Sequence, residues 1–225
     1  MPIKPVHRHS SGISRRSLAA LALLGLLAAS LGGCTWLAMA QQRTVGTPIP
    51  PHYTGLAGRS LAIVVYADDS TTYEYPQARQ EVSSFVANSI EKHLRKVRLL
   101  NYRDVIRYQN DTLNWQELPV KTIGKHFGVA RVLYIELLRY TSREAGATDL
   151  LRGTIKANCA IYNCHRPGQS PAWSQVLEVR WPASGPEDVL QSSDNIVRLH
   201  ALELFSRKLI RNFYTWRYHG PRMHR

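Results

Sequence analysis

The segment Leu151–Asn163 constrains the fold most strongly, because apolar and polar residues alternate along it. Small or apolar side chains occupy every second position, and mostly polar side chains lie between them. This period-2 pattern predicts an antiparallel strand with one buried face and one wet face. The predicted buried face contains Leu151, Gly153, Ile155, Ala157, Cys159 and Ile161, and the wet face contains Arg152, Thr154, Lys156, Asn158 and Tyr162.

Other segments supply the rest of a sheet. Trp173–Trp181 repeats the alternation, and the loop 165–171 contains prolines and a glycine that favour a hairpin connection. Leu61–Tyr66 is a continuous apolar run, which predicts a central strand buried on both faces. Two further strands are predicted over 97–101 and 131–140.

Helical patterns separate these strands. Pro76 begins a helix whose apolar stripe has 3- and 4-residue steps. Shorter helices are predicted over 102–110 and 120–127, and Asp194 is the predicted N-cap of the last helix. The first stripe is Ala78, Val82, Phe85, Val86, Ile90 and Leu94, and the last is Ile196, Leu199, Leu202, Phe205, Leu209, Phe213 and Trp216.

The order of these elements is β-α-β-α-β-β-β-α. We therefore predict an α/β (α+β) fold in which a mixed sheet of about five strands carries helices on one face. Residues 59–225 form a single α/β domain in this interpretation, with a basic, aromatic C-terminal tail.

The N-terminus has the features of an export signal. Basic residues with no acidic neighbour precede an apolar run, Leu18–Ala29, that is too short for a permanent membrane anchor. Leu31-Gly32-Gly33-Cys34 follows and resembles the lipobox of bacterial lipoproteins, which implies cleavage before Cys34 and acylation of its thiol. The alternative is an ordinary signal peptide that is cut after Ala40.

This interpretation divides the chain into a signal peptide (1–33), a lipidated tether (34–58) and the folded domain. Thr35, where an aspartate would retain a lipoprotein in the inner membrane of enterobacteria, favours the periplasmic side of the outer membrane. Export through the general secretory route is preferred, although Arg15-Arg16 leaves the twin-arginine route open.

The formal net charge of +13 raises the question of nucleic-acid binding. Export argues against it, because an exported protein meets anionic lipid and cell-wall polymer rather than nucleic acid. We expect a membrane contact through the N-terminal lipid and no nucleic-acid partner.

The order of elements, with Lys121–Tyr134 at its middle and Gly153 in the next strand, resembles a group of envelope lipoproteins. The group comprises the curli secretion lipoprotein CsgG, the lipoprotein activators of penicillin-binding proteins and the N-terminal domain of TolB. The resemblance covers about residues 60–215 and implies a small α/β domain used for protein contact and not for catalysis. No long membrane-inserting hairpin is visible, so a secretion pore of the curli type is not supported.

The sequence shows no catalytic motif and no metal-ligand spacing. Asp68, Asp69 and Glu74 follow the first strand and could bind a ligand or a cation, although turn residues of this kind commonly make local hydrogen bonds. We predict that the protein is not an enzyme and has no cofactor or metal. The alternative is a ligand-binding or hydrolytic lipoprotein that uses the Asp68–Glu74 strand edge.

The wet face of Leu151–Asn163 is the predicted binding site. Arg152, Lys156 and Tyr162 share that face, and arginine and tyrosine are common anchors of protein interfaces. The sequence therefore predicts a lipoprotein that binds or assembles with an unidentified envelope protein, with homo-oligomer formation as a possibility.

Overall fold

A computed structural model describes residues 46–147, 149–190 and 192–219. The predicted signal peptide and Cys34 lie outside these residues. The strands are β1 (Thr47–Ile49), β2 (Ser60–Tyr66), β3 (Arg98–Leu99), β4 (Arg131–Arg143), β5 (Leu150–Asn163), β6 (Trp173–Trp181), β7 (Glu187–Asp188) and β8 (Trp216–Tyr218). The α-helices are α1 (Asp69–Glu74), α2 (Ala78–His93), α3 (Tyr102–Asp111), α4 (Val120–His126) and α5 (Asp194–Ile210), with 3-10 turns at Trp115–Glu117 and Arg211–Phe213.

The chain divides into two compact units. The larger unit is Pro50–Trp216, and the other contains the chain before Pro50 and after Trp216. Strands β1 and β8 pair in a two-stranded sheet.

The main sheet has six strands in the order β3-β2-β4-β5-β6, with β7 paired to one end of β5. Strand β2 is parallel to β3 and β4, whereas β4, β5 and β6 are antiparallel neighbours. The predicted fold class, a mixed sheet with helices, is therefore confirmed.

The larger core lies between one face of this sheet and helices α2 and α5. On β5 the side chains of Leu151, Ile155, Ala157, Cys159 and Ile161 are all buried, as the alternation predicted. The α2 stripe is confirmed at Ala78, Val82, Val86 and Ile90. Phe85 is only partly buried against this core.

A second, smaller core lies on the opposite face of β2 and β4. It contains Ala62, Val64 and Val132 from the sheet, packed with Val105 of α3 and Ile123 of α4. Helices therefore occupy both faces at the β2 end of the sheet, and not one face as the sequence predicted. Since α3 and α4 each bury few residues, neither shows a long apolar stripe.

The first half of α5 is rotated relative to the predicted stripe. Val197 and Ala201 are buried, whereas Ile196 and Leu199 remain 47% and 39% exposed. The reason is Gly153 of β5, where the helix backbone comes so close that a Cβ atom would collide with the carbonyl oxygen of Val197.

The N-cap of α5 is Ser193 and not the predicted Asp194. The Ser193 hydroxyl accepts a hydrogen bond from the Ile196 amide at 3.3 Å. The Asp194 carboxylate instead accepts a 2.7 Å hydrogen bond from Ser142 and pairs with Arg143 at 3.0 Å.

The end of the predicted tether packs on the domain. Leu56 is 2% exposed in the larger core, and the Tyr53 amide donates to the carbonyl of Asn212 at 3.0 Å. A free tether across all of 34–58 is therefore wrong at its C-terminal end. Isolated apolar residues produce no periodic pattern, so the sequence did not reveal this contact.

Within the described residues, no helix combines the length and the apolar character that a membrane span requires.

Candidate functional site

The three residues predicted to bind a partner share one side of β5, but each is half-buried and not largely solvent-facing. Arg152 forms an ion pair with Glu144 at 3.3 Å. Lys156 lies 3.8 Å from the Glu178 carboxylate of the neighbouring strand β6. Glu144 and Glu178 therefore cover part of the β5 face that the sequence pattern predicted to be exposed to water.

Tyr162 belongs to a different environment. Its ring packs against the second core and meets Tyr134 edge to face, with centroids 6.4 Å apart. Six residues of extended strand, about 20 Å, separate it from Lys156, because each residue rises by about 3.3 Å. The structure therefore brings Arg152, Lys156 and Tyr162 onto one face without joining them in one patch.

Two apolar side chains stand on the same side of the sheet, where β4, β5 and β6 lie together. Val176 of β6 is 55% exposed and Leu138 of β4 is 52% exposed. The register places Val176 beside Asn158, and Leu138 is the extra residue where the pairing of β4 with β5 shifts between Leu137 and Arg139. We define the open face as Leu138, Arg139, Lys156, Val176, Glu178 and Arg180.

Sequence reasoning missed both apolar members of the open face. A signal was present for Val176, because it alternates with the buried Leu177 and therefore falls on the polar side of β6. No comparable signal exists for Leu138, because its exposure depends on the bulge and not on the period of the strand.

Charged side chains surround these apolar groups. The Arg180 guanidinium donates to the Glu178 carboxylate at 2.8 Å, and this hydrogen bond holds the pKa of the Glu178 carboxyl below its ordinary value. Lys156 contributes to the same shift through its positive charge. Glu178 therefore remains ionised, and the open face carries one carboxylate among three cationic side chains, Arg139, Lys156 and Arg180.

The alternative site at the Asp68–Glu74 edge is largely a helix cap. Asp68 accepts a 2.7 Å hydrogen bond from the Thr71 amide at the start of α1, and hydrogen bonds from Thr71 lower the pKa of its exposed carboxyl. A shallow cleft of about 280 Å³ lies nearby, and Glu74, Arg143 and Glu144 also line it. Among the described residues, no group of three or more His, Cys, Asp or Glu side chains is placed to hold a metal ion.

The two cysteines of the domain, Cys159 and Cys164, are buried and free. Burial raises the pKa of the Cys159 thiol to about 12 and also raises that of Cys164. Cys164 packs against Gly124 of α4, where any added Cβ atom would collide with the sulfur. Both thiols are structural packing groups in this arrangement.

No protein-family model and no curated protein matches this chain. Among solved structures it is similar to PelC from Paraburkholderia phytofirmans, which forms a dodecamer, at 13% identity and a TM-score of 0.42 over 75% of this chain and 99% of the other. It is also similar to lipoprotein GNA1162 from Neisseria meningitidis, at 16% identity and a TM-score of 0.40 over 67% and 97%. A third is XCC0632 from Xanthomonas campestris, at 14% identity and a TM-score of 0.44 over 73% and 86%.

Further similar structures include a minor lipoprotein from Acinetobacter baumannii, at 9% identity and a TM-score of 0.38 over 68% of this chain and 91% of the other. Lipoproteins are thus among the proteins that the chain resembles. At such low identities and TM-scores the similarity carries no argument about function. The resemblance to the curli, penicillin-binding-protein and TolB groups stays a prediction.

Proposed function

We propose that the protein is an envelope lipoprotein, anchored through Cys34 on the periplasmic side of the outer membrane, that binds another envelope protein through the open face and catalyses no reaction. The observation that carries the binding role is the exposure of Val176 and Leu138, both above half, on the side of β4–β6 opposite α2 and α5. The anchoring rests on the lipobox-like residues before Cys34.

The composition of the open face suits an interface. The buried centre of a protein–protein contact is apolar and poor in charge, whereas its rim is polar. Val176 and Leu138 supply apolar groups, and Lys156, Glu178 and Arg180 supply a charged border. Because all of these residues except Leu138 lie in regular strand pairing, little backbone entropy would be lost on binding.

The ion pairs of the open face contribute little to stability. The Lys156, Glu178 and Arg180 side chains are 44%, 35% and 51% exposed, and exposed ion pairs are worth about 0–1 kcal/mol. Because these charges are not needed for folding, they are available to contact a partner. Charged border residues mainly set the rate and the specificity of association.

Site-specific photocrosslinking in intact cells tests this proposal. A photoreactive amino acid at Val176 should form a discrete crosslinked product with one envelope protein. The same amino acid at Leu113, which is 89% exposed after α3, is the matched control and should not form it. Equal products from both positions, or none from Val176, would contradict a binding role for the open face.

A charge variant separates binding from folding. Arg180→Glu places a second carboxylate beside Glu178 and should weaken the Val176 crosslink, while the melting temperature changes little because the side chain is exposed. Arg107→Glu on α3 is the control for a charge change at an exposed ion-paired arginine. If both variants reduce the crosslink equally, the effect is one of net charge and not of the open face.

A further inference from the structure

A cavity of about 440 Å³ lies outside the open face, between the loop that precedes β2 and the loop that follows α2. This volume is within the range of about 300–1,000 Å³ that small-molecule sites occupy. Its lining is mainly apolar. The lining includes the apolar Leu56, Ala57, Leu94 and Phe213 and the cationic Arg95 and Lys96.

Two hydrogen bonds and the packed core fix the walls of the cavity. The Gly58 amide donates to the carbonyl of Lys96 at 2.8 Å, which joins the two loops. The Tyr53 amide donates to the carbonyl of Asn212 at 3.0 Å, which fixes the first loop beside Phe213. Leu56 and Phe213 are 2% and 6% exposed, so the apolar lining belongs to the packed core. Contacts within the fold therefore position the walls of the cavity.

Cationic side chains stand among the exposed lining residues. Arg95 and Lys96 are both exposed, and neither forms an ion pair within the described part of the chain. His93 donates through Nδ1 to the Ser89 carbonyl at 2.9 Å and stacks on Tyr214, which fixes its ring beside them. Basic residues at a helix C-terminus also suit the helix dipole, but the dipole does not require an apolar cavity beside them.

We propose that this cavity binds an anionic single-chain amphiphile of the fatty-acid type. The acyl chain would lie against Leu56, Leu94 and Phe213, and the head group would face Arg95 and Lys96. Burial of the acyl chain removes apolar surface from water, and the positive charges of Arg95 and Lys96 attract an anionic head group. The volume is closer to one chain than to a two-chain phospholipid.

Photoaffinity labelling of the full chain in the uncharged detergent dodecyl maltoside tests the site. The probe is palmitate with a diazirine at the end of its chain. Label is expected on peptides that contain Leu56, Leu94 or Phe213, and an excess of palmitate should remove it. Label spread over the chain, or label that palmitate does not displace, would overturn the proposal.

Variants test the two parts of the site separately. Arg95→Glu with Lys96→Glu should reduce labelling by about tenfold, whereas Lys125→Glu with Arg103→Glu, an equal change at exposed cations elsewhere, should leave it unchanged. Ala57→Trp adds bulk at an exposed lining position and should reduce labelling with an unchanged melting temperature. Wild-type labelling of either the Glu pair or the Trp variant would overturn the site.

Competitors identify the head group. Monopalmitoylglycerol has the same chain without a charge and should compete at least about tenfold more weakly than palmitate. Lysophosphatidylglycerol carries a phosphate in place of the carboxylate, and stronger competition by it would show that a membrane lipid is the source of the ligand. Equal competition by the uncharged compound would overturn the role of Arg95 and Lys96.

Discussion

Tyr140 joins three elements of the fold through one hydroxyl group. It lies on β4 and is 4% exposed, and its hydroxyl donates to the Glu81 carboxylate of α2 at 2.5 Å. Arg198 of α5 contacts the same carboxylate at 3.2 Å. Burial and this hydrogen bond raise the pKa of Tyr140, so the hydroxyl stays protonated and remains a donor. The half-buried Glu81 carboxylate is tolerated here because it is both paired and hydrogen-bonded.

We predict that Tyr140→Phe lowers the free energy of unfolding by about 1.5–3 kcal/mol, the usual worth of a hydrogen bond to a charged group. Glu81 would keep Arg198 but lose its donor from β4. Urea unfolding measures the change, and Tyr162→Phe is the control, because no hydrogen bond to the Tyr162 hydroxyl occurs within the described residues. Equal losses in both variants would show that the Glu81 contact contributes nothing.

The buried Cys159 thiol leads us to predict how the stability of the protein depends on pH. Burial raises its pKa from an ordinary value of 9.0 to about 12, so the unfolded chain loses this proton first as the pH rises. The thiol therefore has no effect on stability below pH about 9, and the free energy of unfolding falls as the pH rises towards 12. Cys159→Ala should show a shallower fall than the wild type in unfolding measured at several pH values. Parallel curves would contradict the burial of this thiol.

At the scale of elements, the sequence predicted β5 and α2 well and the first half of α5 poorly. Strict alternation leaves one choice of buried face, and α2 has enough apolar residues to define its stripe. In α5, large apolar residues at Ile196 and Leu199 suggested burial, but the close approach at Gly153 turns the smaller Val197 and Ala201 inward.

At the candidate site, too, the sequence predicted the face of a single strand but not the contacts between elements. Lys156 was identified because the period of β5 places it on the outer face, and the structure leaves it there. The neighbours across the sheet, Leu138 and Val176, depend on register and on a bulge, which are long-range properties. The second helical layer over Tyr162 depends on tertiary packing for the same reason.

Gly153→Ala tests how α5 docks on the sheet. The added Cβ would collide with the Val197 carbonyl and lie 2.8 Å from the Cβ of Ala201, so the helix must move away from β5. We expect a loss of about 1–3 kcal/mol in unfolding free energy from overpacking. Gly128→Ala is the comparison, since nothing lies within 4 Å of its Cβ position and only its positive φ of 62° opposes alanine, at about 1–2 kcal/mol.

Thermal unfolding followed through a side chain that contacts α5 separates these two variants. Gly153→Ala should expose Trp181 and change its fluorescence before global unfolding, because Trp181 stacks on His200 of α5 with centroids 4.3 Å apart. Gly128→Ala should lose stability without this early change. An unchanged Trp181 signal in Gly153→Ala would mean that the helix tolerates the added methyl group.

At the scale of the whole molecule, the proposed function requires that the domain be held at a membrane. The described residues contain no helix suited to crossing one. The Leu31–Cys34 segment offers a covalent route, because acyl chains on Cys34 would each bury many CH₂ groups in the bilayer, and stable anchoring needs more than a single chain.

We predict that cells fed a clickable palmitate analogue label the wild-type protein and not Cys34→Ser. Cys159→Ser and Cys164→Ser are the matched controls and should still be labelled, because both side chains are buried in the folded domain. Fractionation should move Cys34→Ser, but neither control, out of the membrane fraction. Equal labelling of wild type and Cys34→Ser, or a mature chain that begins at Gln41, would remove the basis for membrane anchoring. In that case the protein would be released into the periplasm and would bind its partner there through the open face. The Val176 crosslink would then persist in Cys34→Ser cells.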